Sequence, residues 1–158
     1  MIIMYVSVII FNFLAFKKVN KFSGNMVLQI WLFTCTFQLT FDIFIDVKYH
    51  GYWYMSQGID WPAFAGYTFL IPPVNLLFLN WFPFNRSLTK RIIYIVVWEI
   101  SLLSYELITL LPGPWGFLHY GWWKLWISAL INPILLLILI GFYKFVSKLE
   151  NKVKIEVS

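Results

Sequence analysis

Long apolar stretches separated by short polar or turn-rich breaks set the pattern of this chain. Read between the breaks, they predict helices near 1–16, 26–46, 62–84, 92–111 and 122–145, with a short tail at 146–158. About 20 apolar residues cross the hydrocarbon core of a bilayer, so each run is a candidate span. The first is slightly short, which leaves a tilted or interfacial position as the alternative to a full crossing. It has neither a basic n-region nor a small-residue cleavage site and is expected to stay in the mature chain. The expected fold class is therefore all-α: a single-domain polytopic membrane helical bundle of about five transmembrane helices.

Composition strengthens that reading. Hydrophobic residues make up 61%, aromatic residues 22% and charged residues only 12%, and the mean hydropathy is +0.75; soluble domains lie well below this apolar content. The expected location is the cell membrane, as a multi-pass protein. Basic residues cluster after the first run (Lys17, Lys18, Lys21), the third (Arg86, Lys90, Arg91) and the fifth (Lys144, Lys148, Lys152, Lys154), leaving Lys48 and Lys124 for the other two connections. The positive-inside rule then puts the N-terminus outside and the C-terminus in the cytoplasm. The net charge of +5 fits that topology and the anionic inner leaflet, so the membrane lipid is the expected partner and nucleic acid is not. The tail "KFVSKLENKVKIEVS" carries Phe145, Leu149, Val153 and Val157 at four-residue steps and can extend the last helix as an amphipathic segment on the inner leaflet.

The third run holds "FLIPPVNLLFLN", in which Pro72 and Pro73 interrupt an apolar sequence, and the fifth holds "INPILLLIL" with Pro133. Each proline lacks an N–H and obstructs the carbonyl four residues earlier, so both helices are expected to kink. Carbonyls freed in hydrocarbon need a donor or a wet cavity. Asn75 and Asn132, beside the breaks, are the expected donors. Two readings follow: each Asn satisfies its own kink or joins two helices, or both breaks face one polar cavity, as in transporters with broken helices.

Intramembrane acids bear on that choice. Glu99 and Glu106 in "IIYIVVWEISLLSYELITLL" are an i, i+7 pair, which places them on one helix face about 10 Å apart. A carboxylate at mid-span costs at least ~2.5 kcal/mol, and no Lys or Arg lies at that depth to pair with them. Thr34, Gln38, Asp42 and Asp46 form a second polar stripe at i, i+4 steps. Glu99, Glu106, Asn75, Asn132, Gln38 and Asp42 are therefore the candidates for an intramembrane polar site, with neutral hydrogen bonding between helices as the structural alternative. Cys35 stands alone in an apolar run and reads as packing; His50 and His119 have no ligand partner at metal spacing, so neither a metal nor a cofactor is expected.

The two outer connections are rich in aromatics, with Trp53, Trp61, Trp115, Trp122, Trp123 and Trp126 among the nine tryptophans. An interfacial belt explains them, and a ligand-stacking vestibule is the alternative. "YHGYW" (49–53) and "HYGWW" (119–123) are near-anagrams, each followed by a helix with Pro and Asn. Either the second and third helices repeat as the fourth and fifth, around an axis along the membrane normal, or the likeness is fortuitous.

"FLIPPVNLLFL", "RIIYIVVWEISLLSYELITLL" and "HYGWWKLWISALINPILLLILI", within 62–145, resemble a family of small multi-pass membrane proteins of spore-forming Gram-positive bacteria. The shared pattern is a Pro-bearing helix, a Tyr-rich helix with an acid at Glu106, and a Gly-Trp loop leading into a Trp-Ser…Asn…Pro helix. The resemblance implies topology and a cell-membrane location, and no chemistry. A weaker likeness is to membrane lycopene cyclase domains, whose proline precedes paired glutamates; Val74 and Asn75 stand at those positions here, so the acid would have to come from Glu99 or Glu106.

No nucleotide-binding loop, nucleophile elbow, zinc-protease signature or paired-cysteine motif occurs. Three function classes remain: a binding or transport module using the polar site, an accessory or scaffold subunit whose acids pair with a partner's bases, and an intramembrane enzyme acting on a lipid or isoprenoid. Under the first two, association with a copy of itself or with another membrane protein is expected.

Overall fold

The computed structural model describes residues 2–57 and 61–157; the side chains at 63, 67 and 154–157 are outside the description. Met1 and Ser158, at the ends of the first predicted helix and of the tail, and residues 58–60 of the first outer connection lie outside the described residues. The protein is mostly helical: α1 (Ile2–Lys18), α2 (Gly24–Asp42) continued by a π-helical turn (Ile43–Lys48), α3 (Trp61–Phe69), α4 (Ile71–Trp81), α5 (Leu88–Thr109) and α6 (Leu125–Val157). Three stretches are long and apolar enough to cross a membrane: Gly24–Lys48, Leu88–Thr109 and Leu125–Val153. α1 has 17 residues, and the third predicted helix is divided into α3 and α4, of 9 and 11 residues.

The division falls at Leu70, and its cause is local. Pro72 and Pro73 occupy the first turn of α4, where a missing N–H costs nothing to the helix they begin but cannot serve the helix before them. The carbonyls left over are those of Thr68 and Phe69, four residues earlier. Phe69 O accepts from Asn12 Nδ2 of α1 at 2.6 Å, and Thr68 O faces the Cys35 thiol of α2 at 4.0 Å. This corrects the expectation that Asn75 is the donor at this break; Asn132, beside Pro133, is likewise bonded elsewhere. Asn75 Nδ2 donates to Thr34 Oγ1 at 3.1 Å and Asn132 Nδ2 to Glu99 Oε1 at 3.3 Å. It also gives Cys35 a role beyond packing, as a weak donor.

α4 is the centre of the bundle. Pro72, Pro73 and the run from Leu76 to Asn80 are buried, packed against Met26 and Ile30 of α2 and Leu136, Leu139 and Ile140 of α6. From α5, the Tyr94 and Trp98 rings lie against Phe78 at 5.5 and 5.4 Å, and Tyr94 donates its hydroxyl to Phe78 O. A smaller cluster joins Met4 of α1, Leu70 and Phe117. This is why a run with two prolines is so apolar: it is surrounded by protein.

The basic segments gather at one end. Asn80 Nδ2 donates to Lys18 O, Lys21 Nζ to Asn80 O, and Arg91 to Phe84 O. Ser23 caps α2 by accepting from Met26 N, and Ser23 and Asn25 both donate to Glu150 of α6. α6 is a single helix with Pro133 inside it, and it continues past 145 to Val157. At the opposite end the two outer connections pair as short antiparallel strands, β1 (Tyr52–Tyr54) and β2 (Leu118–Tyr120), an element that an all-α expectation omits. Tyr52 faces Tyr120, Trp53 faces His119 and Tyr54 faces Leu118. Gly121 N and Trp123 N both donate to Gly51 O, which holds 121–123 in the turn and delays the start of α6 to Leu125. A Cβ at Gly121 would sit 2.2 Å from His50 O, so only glycine fits there. Ile2 N of α1 reaches Pro114 O at this same end.

Candidate functional site

Between the helices and below the strand pair lies a cavity of about 550 Å³, within the range of small-molecule sites. Most of its lining is carbon, from side chains such as Phe33, Phe37, Phe41, Leu77, Leu135 and Leu139. Four of the six predicted site residues line it: Gln38, Asn75, Glu106 and Asn132. They come from four different helices, α2, α4, α5 and α6. Their convergence follows from α4 being central, because each neighbour must turn one face towards it.

Glu106 carries the densest polar network. Its Oε1 accepts from the Tyr120 hydroxyl of β2 and from Ser128 Oγ of α6, the latter at 2.6 Å. Ser128 in turn accepts from Trp123 Nε1 at 2.8 Å. An indole N–H only donates, so the single Ser128 proton is directed to Glu106. Tyr120 lies in the outer connection, where burial and then the bond to Glu106 push its phenol well above the ordinary value; it remains a donor throughout the physiological range. Oε2 of Glu106 accepts no hydrogen bond from the described residues.

The other two predicted acids stand back from the cavity. Asp42 is 3% exposed and accepts from the Tyr52 hydroxyl at one oxygen and from Gln38 Nε2 at the other, 2.8 Å away. It is a positioning group for β1 and Gln38. Glu99, on the same face of α5 as Glu106, takes the Asn132 amide at Oε1, while its Oε2 is buried without a hydrogen-bond partner among the described residues.

The six tryptophans separate into two groups. Trp61, Trp115, Trp122 and Trp126 are exposed, as a belt requires, and Trp122 Nε1 donates to Tyr49 O. Trp53 stacks on His119 across the strand pair, with ring planes 19° apart. Trp123 alone of the six lines the cavity, so the shared-vestibule alternative has one member among the described residues.

Tyr120, Ser128 and Tyr52 are functional neighbours that the sequence reading missed. Ser128 follows Trp123 by five positions and precedes Asn132 by four, a signal visible only once Trp123 is known to fold back over α6. Tyr120 and Tyr52 lie in the two near-anagram segments, whose likeness marks the residues that pair. Extended by one step, the ladder sets Gly51 opposite Gly121. Comparison of the chain with protein-family models, with curated proteins and with solved structures finds no match.

Proposed function

We propose that the protein is a five-crossing integral protein of the cell membrane, N-terminus outside and C-terminus cytoplasmic, that acts as a small binding or transport module for an amphipathic molecule. The observation that carries the reading is the cavity of about 550 Å³, carbon-lined for most of its surface, in which Gln38, Asn75, Asn132 and Glu106 converge from separate helices. An amphiphile would place its chain on that carbon and its head on Glu106. α1 and the α3–α4 pair support the five-crossing count. Both run between the strand-pair end and the basic end, and α1 at 1.5 Å per residue is about 25 Å long. The gathering of Lys17 to Lys21, Arg86 to Arg91 and the lysines of α6 at one end supports the orientation. Bends at Pro72–Pro73 and at Pro133, and the resemblance over 62–145 to the small multi-pass family, belong to the same proposal.

The accessory-subunit reading is less well supported, because Glu99 is buried at 9% exposure and Glu106 opens on the cavity, so neither offers its carboxyl at an outer face to a partner's base. Five crossings are few for a complete transport path, so association with a second copy or another membrane protein is part of the proposal. Native mass spectrometry of the protein taken from its own membrane into nanodiscs, wild type beside Glu106→Gln, tests it. A retained small molecule that the variant releases is the expected result. An empty wild-type protein found only with a protein partner would overturn it in favour of the accessory reading.

A further inference from the structure

The polar groups around the cavity differ in what they leave unused. Gln38, Asn75 and Asn132 each direct one N–H of the amide to a protein acceptor, Asp42, Thr34 and Glu99, and keep the second. Their amide oxygens accept nothing from the described residues. The lining hydroxyls of Ser101 and Thr109 donate to the carbonyls of Val97 and Glu106 in their own helix. Tyr120 and Ser128 give their protons to Glu106 Oε1, which leaves Oε2. Trp98 Nε1 is buried away from the cavity surface without a partner among the described residues, and the Tyr105 hydroxyl is buried beside Ser7. Among the described residues the lining contains one acid and no Lys, Arg or His. Among the described residues the cavity thus offers amides, hydroxyls and one carboxyl group, facing carbon, with no cationic side chain to balance the carboxyl.

Resting on the binding reading above, we infer that the ligand is a lipophilic amine, an amphiphile whose cationic ammonium head sits on Glu106 Oε2 and whose chain runs along α6 towards Leu135 and Leu139. A cationic donor answers what the site leaves open, since an ammonium offers three N–H groups and accepts nothing. The aromatic rings of Tyr52, Tyr120 and Trp123 line the same cavity, and aromatic π faces favour a cation. A fatty carboxylate would bring a second anion to Glu106, with no cationic side chain among the described lining residues to offset it. A phospholipid fails for the same reason at its phosphate, even when its head carries an amine, so a single-chain amine is favoured over a membrane aminophospholipid.

The test is binding of dodecylamine, dodecanol and dodecanoate to the full-length protein in phosphatidylcholine nanodiscs, with empty nanodiscs subtracting partition into lipid. The fluorescence of Trp98 and Trp123, which line the cavity, provides one readout and thermal stabilisation a second. A parallel set of nanodiscs containing phosphatidylethanolamine asks whether an aminophospholipid competes. Dodecylamine is expected to bind at least about tenfold more tightly than dodecanol, the scale of one hydrogen bond to a charged group. Dodecanoate is expected not to bind, and phosphatidylethanolamine not to compete. Glu106→Gln is expected to bring amine and alcohol to equal affinity. Equal binding of amine and alcohol by the wild type, preference for the carboxylate, or displacement by phosphatidylethanolamine would overturn the amine assignment while leaving a binding module. No binding of any of the three would overturn the binding reading as well. The amine-to-alcohol ratio is measured on the wild type, so the inference stays testable if the variant fails to fold.

Discussion

Removing the Asn12 amide tests the account of the helix break. Asn12 Nδ2 donates to Phe69 O at 2.6 Å and to Val8 O at 2.8 Å, but the two bonds are not equivalent. Val8 O also receives the helical N–H of residue 12, whereas Phe69 O has lost its helical donor to Pro73. In Asn12→Leu, of similar size, one backbone carbonyl is left without a donor, at a residue that is 48% exposed. The cost of an orphaned group is about 1–3 kcal/mol, and hydrogen bonds between membrane helices average about 0.6 kcal/mol with a maximum near 1.7. A loss of about 1–2 kcal/mol follows, because here the acceptor has no second helical donor to fall back on. Pro73→Ala restores an N–H four residues after Phe69. In that background the effect of Asn12→Leu should shrink below about 0.5 kcal/mol, a non-additivity that a double-mutant cycle detects. The assay is reversible unfolding in mixed micelles with increasing SDS, followed by tryptophan fluorescence. Equal losses in the two backgrounds, or no loss in the single variant, would refute the pairing of Asn12 with the break.

Three further perturbations probe the two ends of the molecule. Gly121→Ala places a Cβ 2.2 Å from His50 O, so it should open the strand pair and destabilise by about 1–3 kcal/mol, on the scale of other strained or overpacked sites; unchanged unfolding in the same assay would contradict the close approach. His50 adopts φ 51°, where a non-glycine residue is strained by roughly 1–2 kcal/mol, so His50→Gly should raise stability towards that amount, offset in part by added chain entropy. A loss of more than about 1 kcal/mol would mean that the imidazole itself contributes. Glu150→Ala removes the acceptor of Ser23 and Asn25 at an exposed site and should cost under about 1 kcal/mol, with the added effect of faster hydrogen exchange in the last turns of α6; exchange unchanged there would show that the contact does not hold the helix end.

How much was legible in the sequence depends on the range of the interaction involved. The apolar runs, the break at Pro72–Pro73 and the stripe Thr34, Gln38, Asp42 are written in local spacing, which governs helix faces and termini directly. The four cavity residues were reachable for a related reason: a polar side chain in an apolar run has few places to go. Partner choice was not legible. Asn12 meets Phe69 across 57 positions and Tyr120 meets Glu106 across 14, and nothing local distinguishes those donors from Asn75 or Asn132. The strand pair was missed because three residues on each side are too few for an alternating pattern, although the repeated His, Tyr, Gly and Trp of 49–53 and 119–123 marked the place. The i, i+7 spacing groups Glu99 with Glu106 and the i, i+4 stripe adds Asp42, while which of them reaches the cavity depends on packing around α4.

The central claim is that the space in front of Glu106 is occupied by a ligand, and filling it from α4 tests this most directly. Val74 lines the cavity from α4, a helix that carries no member of the Glu106 network, so Val74→Phe projects a ring into the volume while leaving those residues unchanged. Native mass spectrometry and thermal unfolding of this variant in nanodiscs, beside the wild type, provide the measurement. Loss of the retained small molecule with stability unchanged or raised is the result the account predicts. Retention of the molecule, or a fall of about 1–3 kcal/mol of the kind that overpacking a filled core produces, would contradict it.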